Sequence, residues 1–332
     1  MVKEDYKGIW IFAEQEFGVL HPTVFELIAK SKELQKFSGE KISAVLLGNN
    51  VASLADTLFE YGADEVILAE SEALAQYSAR PYQAALTQLA QKHKPSILIY
   101  GATALGRDLA PRLMISLKTG LTADAINLGF DEDGMFYQTT PAYGGKILAQ
   151  ITIPECRPQM ATVHAGICEP LAPVKGAKGI LSVENIEVEA DADYEVIERK
   201  PIENLGRQLT DEKVVIAGGR GIKVQKDLAM LEELAELLDG QVASSRPLVD
   251  NGWLPHEKQL GQSGITVKPD LIFNIAISGS VQYLLGMQNS KCIVAINQSE
   301  DAPIFDYAHY GIVSDYKKFL PAFIAELRAR KS

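Results

Sequence analysis

The sequence has no uninterrupted apolar run near the roughly 20 residues that a membrane helix needs. Membrane insertion is therefore not expected. Cysteine is scarce: Cys156, Cys168 and Cys292 are odd in number, widely spaced and form no CxxC. That excludes a disulfide framework and a thiolate metal or iron–sulfur site, and fits a reducing compartment. Excess positive charge is absent too. The net charge is −11, the pI is near 5.1, and the basic residues are scattered apart from Arg328, Arg330 and Lys331 at the end of the last helix. A nucleic-acid partner is not expected, because neutralising phosphates takes a basic stripe.

The usual catalytic signatures are missing as well. The five histidines (His21, His93, His164, His256, His309) form no HExxH or HxH pair. No GxSxG elbow appears, which excludes the common serine-hydrolase arrangement. Cys292 lies in an apolar run and reads as a small buried hydrophobe rather than a nucleophile. Chemistry borne by a cofactor, with few protein catalysts, is the expectation that remains. Residues Met1 to Asp5 are charged and lack the basic-then-apolar layout of a secretory signal, so a cytoplasmic location is expected.

What the sequence does have is an average globular profile, 47% hydrophobic and 23% charged, over 332 residues, enough for two domains with a core each. The first half alternates short β-branched runs (Gly8–Ala13, Ile42–Gly48, Glu65–Leu68, Ser96–Tyr100) with helical stretches (Val24–Leu34, Val51–Tyr61, Pro81–Lys92). Apolar strands separated by helices predict a parallel sheet covered on both faces. From Gly134 the helices stop, and Phe136–Thr139, Lys146–Ile153 and Met160–Val163 read as strands joined by hairpins. The polar stretch Asp191–Arg207 reads as a linker around a final short strand, placing a domain boundary near Gly206. The predicted class is α/β with two doubly wound domains. Residues 1–205 form a mostly parallel sheet with added antiparallel strands, and residues 206–332 a second parallel sheet.

The second domain carries four loops of one chemical character. Val214-Val-Ile-Ala-Gly-Gly-Arg-Gly221 is a strand entering a glycine turn, where backbone N–H groups can approach a phosphate and Arg220 can add a fork of donors. It matches neither GxGxxG nor the P-loop. Ala243-Ser-Ser-Arg246, Leu260-Gly-Gln-Ser-Gly264 and Ile277-Ser-Gly-Ser-Val-Gln282 follow, rich in small residues and hydroxyl or amide donors, and are expected at strand ends. In an open α/β sheet such loops converge on one crevice, and the set suits a large anionic ligand such as a dinucleotide. In the first domain, Gly101-Ala-Thr-Ala-Leu-Gly-Arg-Asp108 opens a helix and could hold a nucleotide phosphate, or equally serve a packing or subunit contact.

These residues resemble a known family. The run GGRG…ASSR…LGQSG…ISGSVQ…VAINQSEDAPIFDYAHYGIVSD, from Val214 to Asp315, is similar to the C-terminal domain of electron-transfer flavoprotein alpha subunits. GATALGRDLAPRL, KTGLTAD and RPQMATV extend the resemblance over nearly the whole chain. It implies an FAD-carrying electron shuttle, a carrier rather than a stand-alone enzyme. The implied partners are an electron-transfer flavoprotein beta subunit in a heterodimer and an acyl-CoA dehydrogenase-type redox protein, with simple transfer and electron bifurcation both open.

The resemblance also implies site residues. Arg220 and Ser245 would hold the cofactor, with Arg246 against the isoalloxazine. Leu260, Gly261, Gln262 and Ser263 would pass along the flavin, the Ser263 hydroxyl directed at N5. Ser278, Gly279, Ser280, Val281, Gln282 and Tyr283 would wrap the pyrophosphate and reach the ring. Asn297 and Asp315 would lie towards the adenosine end, and Tyr316 closes the set. A fixed cation beside the ring favours the reduced, anionic flavin. Two positions depart from the family, which usually has threonine at Ser263 and histidine at Tyr283. Tyr283 is expected at the O2 edge, where a neutral phenol can still donate a hydrogen bond and anionic flavin is less stabilised than beside histidine. Thr140 and His164–Ala165 also depart, where relatives commonly show Arg and Arg–Pro, which bears on the subunit contact. The alternative left open is a nicotinamide-dependent oxidoreductase using the second domain as a Rossmann unit. The missing GxGxxG and acid/base set stand against it.

Overall fold

The computed structural model describes residues 5–142, 147–194, 196–198 and 208–331. They fall into two compact units, one within residues 1–200 and one within 201–332. The boundary expected at Gly206 lies outside the described residues, as does Lys146.

The first unit alternates β1 (Ile9–Phe12), α1 (Pro22–Ser38), β4 (Ile42–Gly48), α2 (Leu54–Glu60), β5 (Glu65–Glu70), α3 (Ala79–His93), β6 (Ile97–Gly101) and α4 (Ala104–Leu117). A two-residue ribbon, β2 (Gln15–Glu16) with β3 (Val19–Leu20), sits between β1 and α1. Helix α1 shows how local sequence sets an element. His21 is its N-cap, accepting from the Thr23 N–H at 3.3 Å, and Pro22 occupies the first turn, where a missing N–H costs nothing. Gly39 ends it at φ 68°, donating to the Gln35 carbonyl.

After α4 come β7 (Leu121–Ala125), β8 (Asn127–Phe130), β9 (Phe136–Ala142), β10 (Ile147–Thr152), β11 (Gln159–Val163) and β12 (Ile180–Val183). Strands β9 and β10 form the expected antiparallel pair, and β8, which was not read as a strand, extends it to a three-stranded meander. The expected hairpin to Met160–Val163 is corrected by the fold: β11 lies parallel between β6 and β7 in the main sheet. Its five residues are all buried, so it needs neighbours on both edges and cover on both faces. The seven-stranded sheet has the order β12-β5-β4-β1-β6-β11-β7. One apolar layer, with Ile9, Ile11, Val24 and Leu27, packs on one face, and another, with Trp10, Phe12, Leu86 and Leu109, on the other. The last short strand of this unit is β12, and residues 191–194 and 196–198 are in no strand.

The second unit contains β13 (Val214–Gly218), α5 (Leu228–Leu237), β14 (Gln241–Ser244), α6 (Arg246–Asp250), β15 (Leu271–Ile275), α7 (Val281–Leu284), β16 (Ile293–Asn297), β17 (Tyr310–Val313) and α8 (Tyr316–Lys331). Its sheet is wholly parallel, in the order β14-β13-β15-β16-β17. Two doubly wound α/β units with one antiparallel meander are the class the sequence predicts. In each, chain order reverses beside the first strand, between β1 and β6 and between β13 and β15, and a crevice opens at the carboxyl ends there.

Candidate functional site

The second unit's crevice is a cleft of about 580 Å³, the size of an ordinary cofactor site. The glycine turn after β13 reaches it through Arg220. Gly219 N–H donates to the Ile275 carbonyl at 2.9 Å and Gly221 N–H to that of Ala276 at 3.1 Å. A Cβ at Gly219 would sit 2.3 Å from the Ala276 oxygen, so only glycine lets this turn lie against the end of β15. Arg220 stands exposed at the rim.

From the end of β14, Ser245 N–H donates to Gly218 O at 2.9 Å, and Arg246 opens α6. Its guanidinium meets Asp250 at 3.2 Å, an exposed pair one helical turn apart. The Leu260–Gly264 loop was expected after a strand, but single bridges from Ser244 to Gln259 and from Leu260 to Ile265 carry it instead. Gln262 N–H donates to the Gln282 carbonyl at 2.7 Å and ties this loop to the next. The Gln259 side-chain amide donates to the Ser263 hydroxyl at 3.0 Å, which leaves the hydroxyl's own hydrogen for a ligand.

Ser278 to Ser280 run from β15 into α7. The Ser278 carbonyl accepts from Ile304 N–H at 3.1 Å. Gly279 has φ +84°, and a Cβ there would lie 2.4 Å from the Ile304 nitrogen. Arg220, Ser245, Arg246, Leu260, Gly261, Gln262, Ser263, Ser278, Gly279, Ser280, Gln282 and Tyr283 all line the cleft. Ile277, which opens the fourth loop, lines it too, as do Gln259 and Pro247, which were not singled out in the sequence; Gln259 had a signal, standing next to LGQSG. Among the described residues none of the lining side chains is acidic, and two are arginines.

Four expected residues are not among those that line the cleft. Val281 begins α7 and does not line the cleft. Asn297 closes a local turn by accepting from Ser299 N–H at 2.9 Å, while its amide holds the Ile277 carbonyl at 2.8 Å. Asp315 accepts from Lys317 N–H at 2.9 Å at the start of α8. Tyr316 is buried with its hydroxyl on Asp227 at 2.8 Å, in the layer of Leu231 and Leu320.

Tyr283 requires a correction of a different kind. It lines the cleft, but its hydroxyl donates to Asn274 Oδ1 at 2.5 Å, inside the sheet. The phenol is not offered to a ligand's edge as the sequence suggested. Burial holds its ionisation well above the ordinary tyrosine range.

The first unit's crevice, about 440 Å³, is built differently. Thr103 caps α4, accepting from Gly106 N–H at 2.9 Å and donating to Glu14 Oε2 at 2.6 Å. Burial raises the Glu14 pKa above the usual carboxylate range, while the Thr103 bond and His21 act against that shift. A carboxylate therefore stands at the positive end of α4, where a phosphate would need to lie. The nucleotide phosphate that GATALGRD could have held is disfavoured there.

The second cleft fits FAD. Two arginines and no acid line it, which suits a polyanion, and serine hydroxyls and glutamine amides supply further donors. A family model described as the electron transfer flavoprotein domain matches residues 9–192. Another, described as the electron transfer flavoprotein FAD-binding domain, matches residues 208–288. The electron transfer flavoprotein subunit alpha of Thermoanaerobacterium thermosaccharolyticum is 41% identical, over 98% of this chain and 99% of its own length. Protein FixB of Clostridium saccharobutylicum is 42% identical, over 98% and 97%. The lactate dehydrogenase (NAD(+),ferredoxin) subunit LctC of Acetobacterium woodii is 40% identical, over 97% of this chain and 77% of its own.

Fold, cleft and matches define a flavin-binding electron-transfer protein whose second unit is the FAD-binding domain. More particularly, the chain belongs to the electron transfer flavoprotein alpha-subunit family, whose members pair with a beta subunit. The nicotinamide-dependent alternative finds no support, since the domain it would use is matched as an FAD-binding domain. Among the described residues no helix is long and apolar enough to cross a membrane, and no group of His, Cys, Asp and Glu could hold a metal ion.

Proposed function

We propose that the cleft of the second unit holds FAD through the loops that converge at the β13/β15 reversal, and that the chain relays electrons between a dehydrogenase and an acceptor. The observation that supports this most is the convergence of four separate sequence segments on one cleft with arginines and no acids. The cofactor supplies the redox chemistry when bound. The chain's residues bind, orient and shield it.

Arg220, carried exposed on the glycine turn, is placed to meet the pyrophosphate, with Ser278 to Ser280 as the facing loop. Arg246 brings positive charge to the flavin end and favours the reduced form. The Ser263 hydroxyl, held by Gln259, keeps a hydrogen to present to the flavin edge. Asn297 fixes the Ile277 carbonyl and so shapes the loop that lines the cleft. The beta subunit completes a heterodimer that works in the cytoplasm with an acyl-CoA dehydrogenase-type protein, as the family resemblance implies.

A second reading concerns the acceptors. The LctC relative bears a name that couples NAD(+) and ferredoxin, which favours a bifurcating complex in which the beta subunit carries a further flavin. Co-purifying the chain with its beta subunit and measuring released flavin tests both points. FAD is expected in the supernatant, one equivalent for simple transfer and two for bifurcation. A colourless complex carrying an adenine nucleotide alone would overturn the reading.

A further inference from the structure

Asn274 is the fourth of the five residues of β15 and is fully buried. Its neighbours on the strand are Leu271, Ile272, Phe273 and Ile275, so an amide there is out of character and must find partners. It finds two. Its Nδ2 donates to the Val294 carbonyl of β16 at 3.3 Å, and its Oδ1 accepts from the Tyr283 hydroxyl at 2.5 Å. The face of β15 that carries Ile272 packs against Tyr283, Leu284 and Met287 in one apolar layer. Tyr283 itself is 4% exposed, and it lines the cleft beside Gln282.

One side chain therefore belongs to both the cleft wall and the sheet interior, and a single polar contact fixes its direction. We propose that Asn274 is a positioning residue of the flavin site: it holds the Tyr283 hydroxyl in the sheet, so that residue 283 gives the cofactor a neutral aromatic wall and no hydrogen-bond donor. The inference rests on the reading that FAD occupies this cleft. It replaces the expectation, drawn from the sequence, that the phenol would donate to the flavin edge. A tyrosine whose hydroxyl is satisfied inside the protein has a fixed ring. Without Asn274 the hydroxyl is left buried without a partner, and the ring must shift to find one, taking the cleft wall with it.

Four versions of the full chain, each purified with the beta subunit, test this: wild type, Asn274→Val, Tyr283→Phe and the double variant. Removal of the flavin and titration with FAD gives an affinity for each, and the visible absorption and circular dichroism of the bound flavin report on its surroundings. Tyr283→Phe is expected to stay within about threefold of wild-type affinity and to leave the flavin spectrum unchanged, because the lost hydroxyl never faced the cofactor. Asn274→Val is expected to weaken FAD by about tenfold or more, and the double variant to recover most of that loss, because the stranded hydroxyl is gone.

Three results would overturn the proposal. Tyr283→Phe could itself shift the spectrum or weaken binding, which would put the hydroxyl on the flavin. Asn274→Val could bind like wild type. The double variant could fail to recover, marking a plain packing defect. If Asn274→Val does not fold, Tyr283→Phe decides alone by the same criteria. A wild-type complex that takes up no FAD in this cleft would overturn the underlying reading instead.

Discussion

The two crevices of this chain come from one topology and differ in charge. Each lies where strand order reverses, at β1/β6 in the first unit and β13/β15 in the second. In the first, the buried carboxylate of Glu14 bonds the capping residue of α4. In the second, Arg220 and Arg246 line the space and no lining side chain is acidic. A doubly wound sheet thus supplies the place for a ligand, and the loop side chains decide whether an anion is welcome. The difference is one of a few side chains, which makes it breakable.

Gly279→Val should break the second crevice most severely. Its φ of +84° disfavours any Cβ, and the new atom would start 2.4 Å from the Ile304 nitrogen. We expect a loss of about 3 kcal/mol from the second unit and no retained FAD, read by thermal denaturation and flavin release. A yellow, equally stable variant would show that this loop does not shape the cleft.

Next comes Arg220→Ala, which removes a cation and leaves the backbone turn in place. Charge-assisted hydrogen bonds of this kind contribute about 1.5–3 kcal/mol, so FAD affinity should fall about 10- to 100-fold. Fluorescence titration checks it, and the gap from wild type should narrow as salt rises.

Glu14→Gln probes the first crevice without removing its acceptor for Thr103. The folded-state pKa of Glu14 is raised above 4.5, so the folded unit holds the proton more tightly than the unfolded chain. Its contribution to stability is therefore full below that value and is lost as pH rises through the raised pKa. Melting curves from about pH 4 to about pH 8 should show this decline in the wild type and a flatter profile in Glu14→Gln. FAD affinity should not change, since the cofactor belongs to the other unit.

The smallest effect is expected from Asp250→Asn. The pair with Arg246 is exposed on both sides, and such pairs contribute little. FAD affinity should rise by less than about fivefold as Arg246 is released from its neighbour.

Much of this was legible in the sequence because it is local. Alternating apolar runs and helices marked β1, β4, β5 and β6 of the first sheet and β13, β15, β16 and β17 of the second, while the edge strands β7 and β12 went unread, and the four loops of the second unit were recognisable from their small and polar residues. Twelve of the implied site residues do line one cleft. What was illegible depends on contacts between distant positions. Residues 159–163 read as one more hairpin strand, since nothing in them says that they insert between β6 and β7. Glu14 sits in a short polar turn, and its partner Thr103 lies far along the chain. Asn297, Asp315 and Tyr316 were placed by their neighbours in a motif, yet each side chain is used within the fold. Asn274 did leave a signal: an amide inside LIFNI needs an internal partner, and that need leads to Tyr283.

The central claim is that the second crevice, and not the first, holds the chain's cofactor. Quantifying FAD released from the complex with the beta subunit tests it most directly, in wild type, Gly279→Val and Glu14→Gln. The account predicts that Gly279→Val loses one FAD equivalent per complex while Glu14→Gln retains the wild-type amount. Full FAD in Gly279→Val, or loss in Glu14→Gln, would contradict it.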